Sequence, residues 1–255
     1  MKLVICGKGG CGKSTIVALL AQQYARAGKR VLVVDTDESN AGLHRLLGTE
    51  SPHDLMDYFG GKKTMMEAFR ESRENNTPSP VECAKTIENI PGIYLARKDA
   101  IHLVAIGKIH QAGEGCACPM GVLAKQFLAG LELGTNDLVL IDTEAGIEHF
   151  GRGIDKVCDA ILMVIDPSYE SLTLAKMVSG MAEKIGVPLY YILNKTDSLT
   201  GPTLRNAIQD KNRIIGEFPQ DAGILAAGLD GREMPADHPV VTTVIQRIGT
   251  KKATS

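Results

Sequence analysis

Residues 2–28 read KLVICGKGGCGKSTIVALLAQQYARAG: a short apolar run (residues 3–6), an eight-residue loop, and a stretch with apolar residues at helical spacing that closes at Gly28. The loop, Gly7-Lys8-Gly9-Gly10-Cys11-Gly12-Lys13-Ser14, satisfies GxxxxGK[ST] in the strand, loop, helix context that gives this motif its meaning. Its glycines let successive backbone N–H groups converge on a phosphate, and the following helix N-terminus adds positive potential. Lys13 then reaches the terminal phosphates and the Ser14 hydroxyl ligates Mg²⁺. The predicted nucleotide contacts here are Gly7, Gly9, Gly10, Cys11, Gly12, Lys13, Ser14 and Thr15.

Further along the chain the same alternation recurs. Aliphatic runs at 31–35 (VLVVD), 93–96 (IYLA), 103–107 (LVAIG), 138–142 (LVLID), 160–166 (AILMVID) and 188–193 (PLYYIL) are separated by helix-like stretches at 121–131, 172–185 and 239–248. Continuous rather than alternating apolar runs are the pattern of strands covered on both faces. The expected fold is therefore α/β, a single-domain P-loop NTPase spanning 1–255 with a mostly parallel central sheet flanked by helices on both faces. Residues 49–90 break the rhythm and read as a polar helical insertion with a mobile tip near 74–80, and 249–255 as a frayed tail.

Composition narrows the function. With 28 basic and 30 acidic residues among 255, net charge −2, no global field exists to hold a polyanion. Aromatics are 4% and Trp is absent, so few platforms for base stacking exist either; no nucleic-acid partner is expected. No run of about 18 apolar residues occurs and the N-terminus lacks a signal-peptide core, so the chain is expected to be cytoplasmic, with no membrane partner. In that compartment the six cysteines (Cys6, Cys11, Cys83, Cys116, Cys118, Cys158) are expected as thiols, inert or metal-binding.

Carboxylates follow two of the strand-like runs. Asp35 and Asp37 close VLVVDTD, where ligands bind in open α/β sheets, and Asp142 closes LVLID in the form of a metal-holding Walker B aspartate. Gly146, just beyond, marks a switch segment. After the run 188–193, Asn194-Lys195-Thr196-Asp197 matches NKxD, whose Asp accepts from guanine. Cys116-Ala117-Cys118 places two sulfurs one residue apart, suited to a soft or borderline cation such as Ni²⁺ or Zn²⁺, or simply packed.

The second lysine of the loop, Lys8, resembles the deviant Walker A motif KGGxGK[ST] of the family that includes nitrogenase iron protein, MinD and the plasmid-partition ATPases. That resemblance implies an ATP/ADP-binding homodimer in which Lys8 crosses to the partner's nucleotide, Lys13 stabilises the transferred phosphoryl group, Asp37 positions water and Asn194 faces the adenine edge, which leaves Asp197 a loop acid. Within the family, GKGGCGKST, VVDTDES, GEGCACP, LIDTEAGIEHFGRG and ILNK together resemble the CooC-type accessory ATPases of carbon monoxide dehydrogenase. The resemblance covers most of residues 2–195. It implies Mg²⁺-dependent ATP hydrolysis, a metallochaperone or nickel-gating role toward that enzyme or a similar nickel enzyme, and metal held by Cys116 and Cys118 at the dimer interface. The alternatives are an iron-sulfur reductase or scaffold like nitrogenase iron protein, whose cluster cysteines lie far apart in sequence, and a MinD/ParA-like positioning ATPase.

Overall fold

A computed structural model describes residues 1–77, 81, 84–109 and 118–252. The order is β1 (Lys2–Gly7), α1 (Lys13–Arg26), β2 (Arg30–Asp35), α2 (Leu43–Leu47), α3 (Leu55–Tyr58), α4 (Gly61–Asn75), β3 (Ala96–Lys98), β4 (Ile101–Ala105), α5 (Cys118–Gly130) and β5 (Asp137–Asp142). Then follow α6 (Glu148–Arg152), β6 (Ala160–Ile165), α7 (Tyr169–Ile185), β7 (Leu189–Thr196), α8 (Thr200–Ala207), β8 (Ile214–Pro219), α9 (Ala222–Leu229) and α10 (Pro239–Lys252). One eight-stranded sheet runs β3-β4-β2-β5-β1-β6-β7-β8. Every pairing is parallel except β3 with β4 at the edge.

Because side chains alternate along a strand, each parallel strand feeds two cores. Leu3, Ile5, Val31, Val33, Leu138 and Leu140 pack under α1 and α10 with Ile16, Leu19, Leu20 and Val244. Val4, Cys6, Leu32, Val34, Val139 and Ile141 pack under α4, α5 and α7 with Phe69, Phe127 and Val178. That double cover is why these strands read as unbroken apolar runs. The same parity puts Asp35 and Asp142 on the α1 side, directly paired in register across β2 and β5.

One sequence expectation changes. Residues 93–96 were expected as a strand, yet Gly92–Tyr94 forms a single 3₁₀ turn and the strand begins at Ala96. Only residues 99 and 100 separate it from its antiparallel partner β4, a hairpin that parallel-strand patterning does not signal. At the C-terminal end α10 runs to Lys252, and Val241, Val244 and Ile248 anchor the helix in the core. Among the described residues of 49–90, α3 and α4 form, with Met65 and Phe69 of α4 buried, while 78–80 of the expected tip lie outside the described residues. No helix among the described residues is long and apolar enough to cross a membrane.

Phe127 of α5 is among the largest fully buried side chains. Phe127→Ala should lower the unfolding free energy by about 3–5 kcal/mol, read as a fall in the urea midpoint with an unchanged slope.

Candidate nucleotide site

The loop between β1 and α1 is built by close backbone approach. Gly7 has φ 147°, and a Cβ there would lie 2.5 Å from the Val164 carbonyl of β6. Gly12 has φ 101° and abuts the Asn194 amide so closely that a Cβ would overlap its Nδ2. Asn194 Nδ2 donates to Cys11 O at 2.8 Å, and Lys195 Nζ donates to Gly10 O at 2.7 Å. The end of β7 therefore holds the outer curve of the loop. Lys195 does so from a left-handed backbone, φ 57°, unusual for a non-glycine residue.

At the helix mouth, Ser14 Oγ donates to Asp142 Oδ2 at 2.6 Å, and Asn40 Nδ2 donates to Ser14 Oγ at 2.8 Å. Asp142 is fully buried, and its Oδ1 has no hydrogen-bond partner among the described residues. Burial, reinforced by the neighbouring Asp35 charge, raises the Asp142 carboxyl well above the usual carboxylate range. Burial raises Asp35 likewise, with Lys108 holding part of that rise back through a 2.6 Å ion pair to Asp35 Oδ2. Lys108 Nζ also donates to Asp37 O at 2.5 Å. A buried carboxylate oxygen without a partner beside a serine hydroxyl is a donor set suited to a hard divalent cation such as Mg²⁺.

A cavity of about 940 Å³ opens over the loop, lined by Gly9, Gly10, Gly12, Lys13, Ser14, Thr15, Asp37, Asn40, Asn194 and Lys195 and walled by Phe218, Pro219, Ile224 and Leu225. Asp35 faces a separate cavity of about 370 Å³ instead, with Lys108 and Asp54. The Asp37 carboxylate meets the larger cavity while capping its own turn, accepting from Ser39 Oγ at 2.6 Å and Ser39 N at 3.0 Å. Lys13 Nζ donates to Lys8 O at 3.4 Å, and Lys8 Nζ pairs with Asp166 Oδ2 at 3.4 Å. Gly146 N donates to Gly7 O at 3.2 Å, which ties the segment after β5 to the phosphate loop.

Several contributors were missed in the sequence. Lys108, Asn40 and Asp166 carry no motif spacing of their own, and Lys195, although a letter of the NKTD run, was not expected to bind the loop. The apolar wall comes from β8 and α9, which escaped notice although residues 214–218 (IIGEF) carry a short apolar signal before a Pro-Gln-Asp turn. Asp197 lies outside the cavity lining: its Oδ1 accepts from Leu199 N, Thr200 N and Thr200 Oγ1 at 2.9, 2.7 and 2.8 Å. Those bonds from Thr200 and Leu199 hold its carboxyl below the usual range.

Of the cysteine pair, Cys116 lies outside the described residues, and Cys118 opens α5 in an exposed position. Its sulfur is disulfide-bonded, which corrects the expectation of six thiols. A disulfide sulfur offers no thiolate to a cation, so metal binding at Cys118 requires the reduced chain. No cluster of three or more His, Cys, Asp or Glu suited to a metal occurs among the described residues. Cys6 and Cys11 are buried, and burial pushes the Cys11 thiol up to about 11, far from a reactive thiolate.

A Gly-rich loop opening a helix, at the carboxyl ends of parallel strands and beside a buried strand-end aspartate, defines a P-loop nucleotide-binding domain. Residues 2–234 match the family model described as the CobQ/CobB/MinD/ParA nucleotide binding domain, and the chain belongs to that family. It is 46% identical over 246 residues, 96% of this chain and 98% of the other, to an uncharacterized ATP-binding protein of Methanocaldococcus jannaschii. It is 31% identical over 264 residues, spanning 100% of both chains, to the carbon monoxide dehydrogenase accessory protein CooC of Rhodospirillum rubrum. Among solved structures, the septum site-determining protein MinD of Pyrococcus horikoshii, complexed with Mg-ADP, superimposes with a TM-score of 0.70 at 17% identity, covering 99% of this chain and 97% of that one, a likeness of fold.

Two predictions follow from this geometry. Because burial raises the folded-state Asp142 value above that of the unfolded chain, its contribution to stability is full below about pH 4 and is lost as pH rises through the folded value. Asp142→Asn, which is never charged, should gain about 1–3 kcal/mol over wild type at pH 8 in EDTA and little at pH 4.5. Thermal unfolding at both pH values measures it; a pH-independent difference contradicts the burial argument. Because the Asp197 carboxylate is engaged by its own loop, ATP should displace a fluorescent ADP analogue at lower concentration than GTP does.

Proposed function

We propose that the protein is a Mg²⁺-dependent ATPase that works as a homodimer and gates nickel insertion into carbon monoxide dehydrogenase or a similar nickel enzyme. The observation that carries this reading is the end-to-end 31% identity with the accessory protein CooC, in a chain whose α5 begins at Cys118. Geometry adds support, because α5, which begins at Cys118, packs directly against α6, which follows the switch segment.

In this reading the loop amides of residues 9–13 bind the phosphates, and Lys13 neutralises charge that develops on the transferred phosphoryl oxygens. Asp37, at the cavity, orients the attacking water once its turn opens from Ser39. Lys8 leaves Asp166 to reach the partner's nucleotide. Ser14, with Asp142 behind it, would hold Mg²⁺, whose chemistry there is neutralisation of the terminal phosphates. Nickel or zinc is the cargo, taken by Cys116 and Cys118 of two facing chains after reduction, since a two-fold axis makes two thiolates into four.

The positioning-ATPase alternative needs either a free amphipathic helix for a membrane or a basic face for DNA, and α10 does not supply the first. The apolar stripe of α10 is used instead against β8 and α1, with Val241, Val244 and Ile248 buried. The test is metal counting and sizing of the reduced protein. Wild type should bind about one Ni²⁺ or Zn²⁺ per dimer and dimerise with ATP, and the double variant C116A/C118A should bind none. Full metal occupancy in that variant, or a monomer under every ligand condition, overturns the proposal.

A further inference from the structure

Arg152, the last residue of α6, has no part in the nucleotide chemistry above, yet it occupies a singular position. Its Nη1 lies 2.6 Å from Glu144 Oε1 and 3.8 Å from Glu38 Oε2. The Arg152, Glu144 and Glu38 side chains are 20%, 14% and 13% exposed, so the three charges meet largely out of water. Glu38 follows Asp37 in the loop after β2, and Glu144 lies two residues past Asp142 in the loop after β5. One cation thus spans both loops that border the nucleotide.

The same side chain touches the start of α5. A Cβ at Gly121 would overlap Arg152 Cδ and lie 2.9 Å from Cγ and 3.0 Å from Nε, so the aliphatic stem runs across the glycine. Gly121 is three residues beyond Cys118, on the first turn of that helix. Two half-buried carboxylates repel unless a cation lies between them, and Glu38 Oε2 has no hydrogen-bond partner among the described residues to compensate its burial. If either loop moves, Arg152 must follow or strand a buried charge; if Arg152 moves, its stem shifts against α5.

We propose that Arg152 is the positioning residue through which the nucleotide state of the two loops reaches α5 and the cysteine at its N-terminus. This deepens the function proposed above, since it assigns the route by which ATP would alter the metal-binding thiols. It requires no contact between Arg152 and either nucleotide or metal. The guanidinium is suited to the task because it stays charged and a single Nη1 lies within ion-pair reach of both carboxylates.

The test is alkylation of Cys118 by iodoacetamide in the reduced full chain, followed by peptide mass spectrometry, with and without Mg²⁺ and a non-hydrolysable ATP analogue. Wild type should show rates that differ by about fivefold or more between the two conditions. R152M keeps the stem over Gly121 and deletes the fork; its two rates should converge to within about twofold while analogue affinity stays near wild type. R152K should recover part of the difference. G121A displaces the same side chain from the α5 side and should also collapse the difference, although it removes a helical glycine and would by propensity alone stabilise the fold. An undiminished nucleotide response in R152M, or no response in wild type, overturns the proposal. Metal counted on the same samples separates the two readings: a nucleotide-responsive Cys118 in a protein that takes up no Ni²⁺ or Zn²⁺ supports the Arg152 route and sinks the metal function.

Discussion

Two carboxylates held side by side out of water govern the organisation of this domain. Asp35 and Asp142 are registered neighbours on β2 and β5, on the α1 side of the sheet; burial raises both carboxyls, and the Asp35 charge adds to the cost of burying Asp142. The surroundings answer that cost unevenly. Lys108 is committed to Asp35, and Thr36 takes up the Asp142 main-chain oxygen through both N and Oγ1, at 2.9 and 2.8 Å. Asp142 itself receives one hydroxyl bond and is otherwise left wanting a cation. In the folded chain that residual demand is a standing source of affinity for a charged ligand at the head of α1.

This also explains why stability and function separate in the structure. Residues that make the sheet, such as Leu3, Val33, Leu140 and Leu162, are fully buried and satisfied by apolar contact. Residues at the carboxyl ends are satisfied only in part and by long-range partners: Lys108 on Asp35, Asp166 on Lys8, Asn194 on Cys11. A site built in this way costs folding energy, and the two apolar cores on either face of the sheet offset it.

How legible the molecule is from its residues follows the range of the interactions involved. Local signals were sufficient for β1, the phosphate loop and α1, because strand, glycine pattern and helical spacing are contiguous. The parallel strands at 31–35, 138–142 and 160–166 declared themselves through double burial. The edge hairpin of β3 and β4, and the α9 wall, rest on short segments whose pattern is weak. The partners of the site's charges were invisible for a different reason: Lys108 and Asp35, 73 positions apart, or Lys195 and Gly10, 185 apart, meet only through the sheet order. Asp197 shows the converse, a recognised motif letter whose carboxylate is consumed within its own turn.

The bond from Gly146 N to Gly7 O joins the phosphate loop to the segment beyond β5 through main-chain atoms alone. Such a tether is indifferent to most side-chain replacements around it and vulnerable at its two ends, where Gly7 at φ 147° and Gly146 at φ 94° adopt shapes other residues resist. The join is thus a hinge pin made of main chain: a methyl group at Gly7 would press on the Val164 carbonyl and push the two segments apart.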